Sequence, residues 1–147
     1  MSLKGPYFLS QRVVRYWLGS AGRCGLRGGK YQLIFVTFIS VDTASVQRGE
    51  YCISKAGLAM AASLWATRLA GEGVQVTELR PGIMATDMTA GVKGKYDELI
   101  RQGLVPQDRW GEHEDVALAV EAILGGAFPF STGNVIYVDG GFHLRRL

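Results

Sequence analysis

The sequence lacks several features that mark whole classes of protein. It has no apolar run near the ~18 residues that cross a membrane, and its N-terminus lacks the charged-then-apolar order of a signal peptide. Its two cysteines, Cys24 and Cys52, do not have the spacing of metal ligands, so we expect two reduced thiols. Internal repeats and low-complexity segments are also absent. These absences favour an ordinary globular protein of the cytoplasm, with no membrane partner.

Acidic residues are missing from the first 41 positions, although the whole chain of 147 residues carries a net charge of only +3. A basic arm of this kind can bind nucleic acid, but no recognisable binding motif or stacking pattern of aromatic residues accompanies it. We therefore expect no nucleic-acid partner and interpret the arm as a solvated helix face and a basic loop. Its basic residues are Lys4, Arg12, Arg15, Arg23, Arg27 and Lys30.

The glycine-rich stretch at 22–30 does not fulfil the pattern of a phosphate-binding loop, despite its Gly29-Lys30 ending. Cys24 stands where that pattern needs its first glycine, and Tyr31 replaces the following Ser or Thr. A strand also follows, where the motif requires a helix. The composition therefore predicts a flexible loop and no nucleotide site.

Hydrophobic periodicity predicts alternating helices and strands along the chain. Leu9, Val13, Tyr16 and Trp17 form an amphipathic stripe on a helix that begins near Pro6. The alternation implies a parallel sheet with right-handed crossovers, in one domain large enough to bury a core. The further elements are a strand at 33–39, a helix at about 50–70, a strand at 74–79, a short helix near 93–102, a helix after 112 and a strand at 135–138.

Tyr51 and Lys55 are the first candidates for chemistry. Residues four apart share one face of a helix, so the phenol and the ammonium are expected to point into the same space. A nearby cation favours the phenolate of a tyrosine, whose pKa in water is ~10, and brings it closer to acid/base work at neutral pH. In isolation the spacing is equally consistent with a solvated helix face.

Four motifs in order carry a resemblance to a known family. They are Tyr51-x-x-x-Lys55, Arg80-Pro81-Gly82 with Thr86 beyond it, Arg109-Trp110-Gly111 leading to Glu114-Asp115-Val116-Ala117, and Gly133 followed by Val138-Asp139-Gly140-Gly141. With these motifs the chain resembles the short-chain dehydrogenase/reductases, over their C-terminal half only. The resemblance implies an α/β fold, the C-terminal part of a Rossmann-type doubly wound parallel sheet with about three strands and flanking helices. Residues 1–147 would then be a partial domain without the N-terminal dinucleotide-binding half.

The resemblance also implies an activity. The family moves a hydride between the nicotinamide of NAD(H) or NADP(H) and a carbonyl or alcohol, and Tyr51 would exchange the proton. Lys55 would lower the pKa of Tyr51 and bind the nicotinamide ribose. The positions matching the rest of the nicotinamide site are Pro81, Gly82, Ile83 and Thr86, although Pro81-Gly82 alone also reads as a simple turn. Segment 84–110 would cover the substrate, and its methionines are equally consistent with filling a core gap.

Three departures from the family bear on this activity. Phe38 stands 13 residues before Tyr51, where the family has the serine that positions the substrate oxygen. Ser40 lies two residues further on, on the same face if the strand continues but ~7 Å farther along it. A local bulge or slip would bring Ser40 in as the candidate hydroxyl, and the alternative is that the hydroxyl is lost. Ser2 stands where the family has an asparagine. The glycine-rich pyrophosphate turn G-x-G-x-x-G is not in the sequence, so we expect activity to be impaired or lost in this chain.

The expected partners follow from the same comparison. The family pairs the small-residue helix at 50–70 with its copy in a second subunit, which predicts a homo-oligomer acting on a small carbonyl or alcohol. The first strand would expose an edge for self-association. The alternative is a catalytically silent fragment that serves as an oligomerisation or interaction module.

Overall fold

A computed structural model describes residues 3–19 and 31–146, the side chain of Met88 excepted. Within these ranges, parallel strands alternate with helices, and three short 3₁₀ turns lie at Ile39–Val41, Val46–Arg48 and Ala70–Glu72. The predicted α/β class is confirmed. The helices are α1 (Lys4–Leu18), α2 (Gly49–Leu69), α3 (Asp87–Ala90), α4 (Lys93–Arg101) and α5 (His113–Leu124), and the strands are β1 (Gln32–Val36), β2 (Gln75–Pro81) and β3 (Asn134–Val138).

The three strands form one parallel sheet in the order β1-β2-β3. The register places Phe35 opposite Glu78 and Leu79 opposite Ile136. β2 is the central strand, and from Val76 to Pro81 every residue is buried. Among the described residues no further strand pairs with β1, so its outer side is an edge of the sheet.

Helix α2 covers one face of this sheet through its small side chains. Ala62 and Ala66 are buried with Leu58 against Phe35 and Val76. Since alanine adds little bulk, the helix backbone can approach the strands closely. Several of the small residues that the sequence analysis assigned to a subunit interface are therefore used within the chain.

Helix α1 packs beside α2. Val14 joins the core cluster, and the indole Nε1 of Trp65 on α2 donates a hydrogen bond of 2.9 Å to Ser10 Oγ on α1. Pro6 lies in the first turn of α1, where a missing backbone N–H costs nothing. The predicted helix is thereby confirmed, with its start two residues earlier than Pro6. The stripe predicted to face the core is wrong for Leu9 and Tyr16, which are exposed, because the helix turns Ser10 and Val14 toward α2.

The first strand ends earlier than its apolar pattern predicts. β1 stops at Val36, and Thr37 N makes a last hydrogen bond of 2.9 Å to Leu79 O. The chain then turns at Phe38 into the 3₁₀ turn at Ile39–Val41. The idea that a continuing strand places Ser40 on the same face as Phe38 is therefore wrong.

The other observed boundaries lie within one or two residues of the predicted ones. The short α3 forms where the sequence pattern predicts a loop. None of the helices described here is long and apolar enough to cross a membrane. The interpretations of Ser2, of Cys24 and of the loop at 22–30 concern positions outside the described residues.

Candidate active site

Tyr51 and Lys55 lie in the first turns of α2 and meet as their spacing predicts. The Lys55 Nζ atom is 5.6 Å from the centroid of the Tyr51 ring. The same ammonium donates a hydrogen bond of 3.2 Å to Val36 O, the last residue of β1. The pair is therefore held at the carboxyl end of the sheet, which is the end where open α/β folds bind their ligands.

The pKa values of the two groups move in opposite directions. Burial raises the pKa of Tyr51, the nearby Arg48 charge lowers it in part, and Cys52 raises it slightly. Burial also lowers the pKa of Lys55. The implied effect of Lys55, a lowered pKa of Tyr51, is not what the structure gives, because desolvation of the half-buried phenol outweighs the neighbouring positive charge. In this state Tyr51 holds its proton more firmly than tyrosine in water.

Phe38 packs against Tyr51. Its ring contacts that of Tyr51 edge to face, with centroids 6.3 Å apart. Ser40 lies in the 3₁₀ turn and is only 5% exposed, and in the described part of the chain no hydrogen bond joins its side chain to Tyr51. An aromatic ring thus stands beside Tyr51 at the position where the family resemblance leads one to expect a hydroxyl.

The Pro81-Gly82 bend follows directly on β2. Gly82 N donates a hydrogen bond of 2.9 Å to Val138 O, and a Cβ atom at Gly82 would lie 2.6 Å from Asp139 Cα. Only glycine fits this close approach of two backbones. The bend is consequently fixed against the end of β3.

Ile83 and Thr86 continue from this bend. The Ile83 side chain is buried against Ile100 and Val105, so it supports the segment from inside. Thr86 precedes α3 and forms a capping box with Thr89, whose Oγ1 accepts a 2.9 Å hydrogen bond from Thr86 N. The Thr86 hydroxyl therefore already has a local structural role at the position matched to the nicotinamide carboxamide.

A buried polar network beneath the bend was missed by the sequence analysis. Arg80 is 7% exposed and Glu78 5%, and Arg80 Nε donates a 2.6 Å hydrogen bond to Glu78 Oε1. Thr37 Oγ1 donates to the same carboxylate oxygen at 2.5 Å. Arg80 also donates to Asp42 and, at 3.0 Å, to the hydroxyl of Tyr137. The network links β1, β2, β3 and the turn that carries Ser40.

The charge state of Arg80 follows from these partners. Burial on its own lowers the pKa of Arg80, but the hydrogen bond and the charge of Glu78, with help from Tyr137 and Asp42, raise it above its ordinary value. The guanidinium is therefore permanently charged. The signal in the sequence was the spacing: Glu78 and Arg80 are two apart in a strand, so both project from one face, and two charges inside a buried strand require each other.

A cleft of about 430 Å³ lies beside Gly82 of the bend. Gly82, Ile83 and Met84 form one wall, and Trp110 contributes another part of the lining. Tyr51 and Lys55 do not line this cleft, which is therefore separate from the tyrosine site of α2.

The end of the chain folds over the same region. Asp139 accepts hydrogen bonds from Gly141 N at 2.9 Å and from His143 N at 2.8 Å, and its Oδ2 lies 2.7 Å from His143 Nδ1. Arg146 donates to the carbonyls of Gly103 at 2.6 Å and Leu104 at 2.9 Å, just after α4. The last residues are therefore fastened to the segment predicted to cover the substrate.

Known proteins resemble this chain over most of its length. A family model described as "Enoyl-(Acyl carrier protein) reductase" matches residues 1–143. The 3-oxoacyl-[acyl-carrier-protein] reductase FabG of Rickettsia felis is 35% identical over 141 residues, which are 96% of this chain and 55% of that protein. A 2-dehydro-3-deoxy-D-gluconate 5-dehydrogenase of Formosa agariphila is 30% identical over 144 residues, which are 96% of this chain and 51% of that protein.

Solved structures show the same fold. A 3-oxoacyl-[acyl-carrier protein] reductase of Brucella melitensis, solved in complex with NAD, superimposes with a TM-score of 0.89 at 40% identity. The match covers 99% of this chain and 56% of that one. This chain therefore spans about half the length of the relatives it matches.

Proposed function

Because the chain belongs to the short-chain dehydrogenase/reductase family, we propose that it carries the proton-transfer half of an NAD(P)-dependent oxidoreductase. The reaction is the reduction of a carbonyl or the oxidation of an alcohol. The observation that carries the proposal is the meeting of Tyr51 and Lys55 at the carboxyl end of β1, with Lys55 Nζ 5.6 Å from the centroid of the phenol ring.

Tyr51 is the proton donor to the carbonyl oxygen in reduction and the acceptor in the reverse direction. Its raised pKa keeps the phenol in the protonated form that the donor role needs, and it also makes the phenol a weaker acid at neutral pH. Lys55 carries no carboxylate partner among the described residues, and its ammonium is free to exchange the Val36 carbonyl for a ribose hydroxyl. The two residues thus have the groups that proton transfer and cofactor orientation require.

The residues of the bend fit the nicotinamide end of NAD or NADP. Pro81 and Ile83 are buried supports, Gly82 packs against the backbone of Asp139, and Thr86 is partly accessible. The cofactor, when bound, supplies or accepts the hydride. Lys55 and Thr86 would orient it, and the Brucella melitensis relative solved with NAD supports this cofactor class. The choice between NAD and NADP stays open.

The pyrophosphate half of the cofactor site has no counterpart in this sequence. The chain spans about half the length of its relatives, and the family's glycine-rich turn lies in the part that it does not match. We propose that the isolated chain binds cofactor weakly and reduces carbonyls slowly, since the adenine and phosphate contacts are missing.

A second candidate function is a catalytically silent module that self-associates. Two observations favour it: Phe38 replaces the expected hydroxyl beside Tyr51, and α1 and α2 present an exposed apolar surface that includes Phe8, Met60 and Leu64. We propose a homo-oligomer in the cytoplasm, assembled through this surface. Sedimentation of the chain over a range of concentrations tests that part directly.

The experiment that separates the two functions measures cofactor binding and carbonyl reduction in two separate assays. NADH and NADPH are titrated by fluorescence, and carbonyl reduction is then followed for the chain and for Tyr51→Phe. The oxidoreductase proposal expects slow reduction that Tyr51→Phe abolishes while cofactor binding stays the same. No binding of either nucleotide and no reduction at high protein concentration would favour the silent module.

A further inference from the structure

The Tyr51 ring has a second cation beside it. Arg48 immediately precedes α2, and its guanidinium carbon lies 5.7 Å from the centroid of the Tyr51 ring. Lys55 approaches the same ring to 5.6 Å. Two positive groups therefore flank one phenol, and the Arg48 side chain is exposed to solvent.

In the part of the chain that the structure describes, no anionic side chain pairs with Arg48. Among residues 3–19 and 31–146 its guanidinium forms no ion pair and no hydrogen bond. The two nearest acidic residues along the chain do not serve: Asp42 binds Arg80, and Glu50 is exposed and takes part in none of the ion pairs. Lys55 in turn bonds a backbone carbonyl, which carries no net charge. The surroundings of the Tyr51 ring are thus left positively charged.

Phe38 stands where the family resemblance expects a serine hydroxyl that would orient the substrate. Its ring fills the side of Tyr51 where the family resemblance expects a serine, and Ser40 makes no hydrogen bond to Tyr51 in the described residues. Arg48 and Lys55 are then the charged side chains that contact the Tyr51 ring in the described residues.

We propose that Arg48 anchors the substrate and that the substrate class is an oxo acid, a carbonyl compound that carries a carboxylate. This inference rests on the proposed function of the same site. The planar guanidinium can donate two parallel hydrogen bonds to a carboxylate, which fixes both the position and the direction of the molecule. The carbonyl of a short oxo acid bound in this way is directed at Tyr51, while Lys55 stays available for the cofactor.

The test uses three acids and their neutral esters. Pyruvate, acetoacetate and levulinate place the ketone at increasing distance from the carboxylate, and each methyl ester keeps the ketone and removes the charge. Binding to the isotope-labelled chain is followed by NMR at the Arg48 Nε–H and at the Tyr51 ring. We expect at least one acid to bind about tenfold or more tightly than its ester, and to bind more weakly at high salt.

Matched variants locate the effect. Arg48→Gln is expected to lower the affinity for that acid by about tenfold and to leave the ester unchanged, and Arg48→Lys should retain part of the affinity. The control is Arg68→Gln, an exposed arginine at the far end of α2 that pairs with Glu72. It removes the same charge at the other end of α2 without touching the site.

The outcomes distinguish this inference from the proposed function. Equal binding of acid and ester in all three pairs, or no loss with Arg48→Gln, overturns the anchor even in a chain that reduces carbonyls. Selective binding of an acid that persists in Tyr51→Phe, in a chain that reduces nothing with NADH or NADPH, supports the anchor and contradicts the oxidoreductase. No acid binding at millimolar concentration also overturns the anchor.

Discussion

Phe38 lies edge to face against Tyr51, with 66° between the two ring planes and 6.3 Å between their centroids. The contact explains two properties of the site together. It supplies part of the apolar surroundings that desolvate the phenol, and it occupies the place of a hydroxyl that would orient a carbonyl oxygen. Each property can be tested by its own substitution.

Phe38→Ser is expected to raise kcat/KM for carbonyl reduction by roughly tenfold or more, because a hydroxyl donor returns beside the developing oxyanion. Steady-state kinetics with NADH or NADPH and a ketone measures this. The matched control is Phe38→Ala, which removes the ring and adds no donor. An equal gain in both variants would show that the ring only blocks access.

The pKa of Tyr51 is expected to lie above 10.0, because burial dominates its shift. Absorbance of the phenolate near 295 nm, taken as the difference between the chain and Tyr51→Phe, isolates this group from the other tyrosines. Arg48→Gln should raise the midpoint further, since Arg48 partly lowers the pKa of Tyr51. A midpoint below 10.0 would mean that the neighbouring positive charges lower the pKa of Tyr51 by more than burial raises it.

The same shift predicts how stability depends on pH. Tyr51 has a higher pKa in the folded chain than in the unfolded one, so its contribution is present in full below about pH 10. It is lost as the pH rises from there through the folded-state pKa. Urea unfolding at pH 8 and at about pH 10.5 should show the free energy of unfolding falling more for the chain than for Tyr51→Phe. An equal fall in the free energy of unfolding for the chain and for Tyr51→Phe would contradict the raised pKa of Tyr51.

Removing only one member of the buried ion pair between Glu78 and Arg80 is expected to destabilise the fold strongly. Arg80→Met leaves a buried carboxylate without its main partner, which should lower the free energy of unfolding by about 3–5 kcal/mol. The double variant Glu78→Gln with Arg80→Met should cost less than the two single changes added together. Arg68→Met, in an exposed pair, is the control and should cost at most about 1 kcal/mol.

Gly82→Ala tests the fit of the bend. The new Cβ would sit 2.6 Å from Asp139 Cα, so either the bend or β3 must move, at a cost of about 1–3 kcal/mol. Gly94→Ala in α4 is the matched control, because a Cβ there meets nothing within 4 Å and alanine favours a helix. Thermal unfolding of both variants measures the difference. Equal melting temperatures would show that the bend adapts.

Much of the fold could be predicted because its elements are marked locally. The apolar run of β1, the glycines after α2 and the acidic first turn of α5 each point to one kind of structure in one place. The spacing of Tyr51 and Lys55 placed both residues on one helix face, and the two side chains do meet there.

What escaped prediction depends on contacts between distant segments. β1 ends at Val36 although Phe38 and Ile39 continue its apolar pattern, because the chain turns there toward Asp42 and Arg80. The direction of the Tyr51 pKa shift likewise depends on burial, which spacing along a helix does not reveal.

The fastening of Arg146 to the carbonyls after α4 has a practical consequence for handling the protein. A purification tag or a surface linker attached to the last residues would lie beside these two hydrogen bonds. A label that leaves them undisturbed is better placed on α5, at an exposed residue such as Glu121.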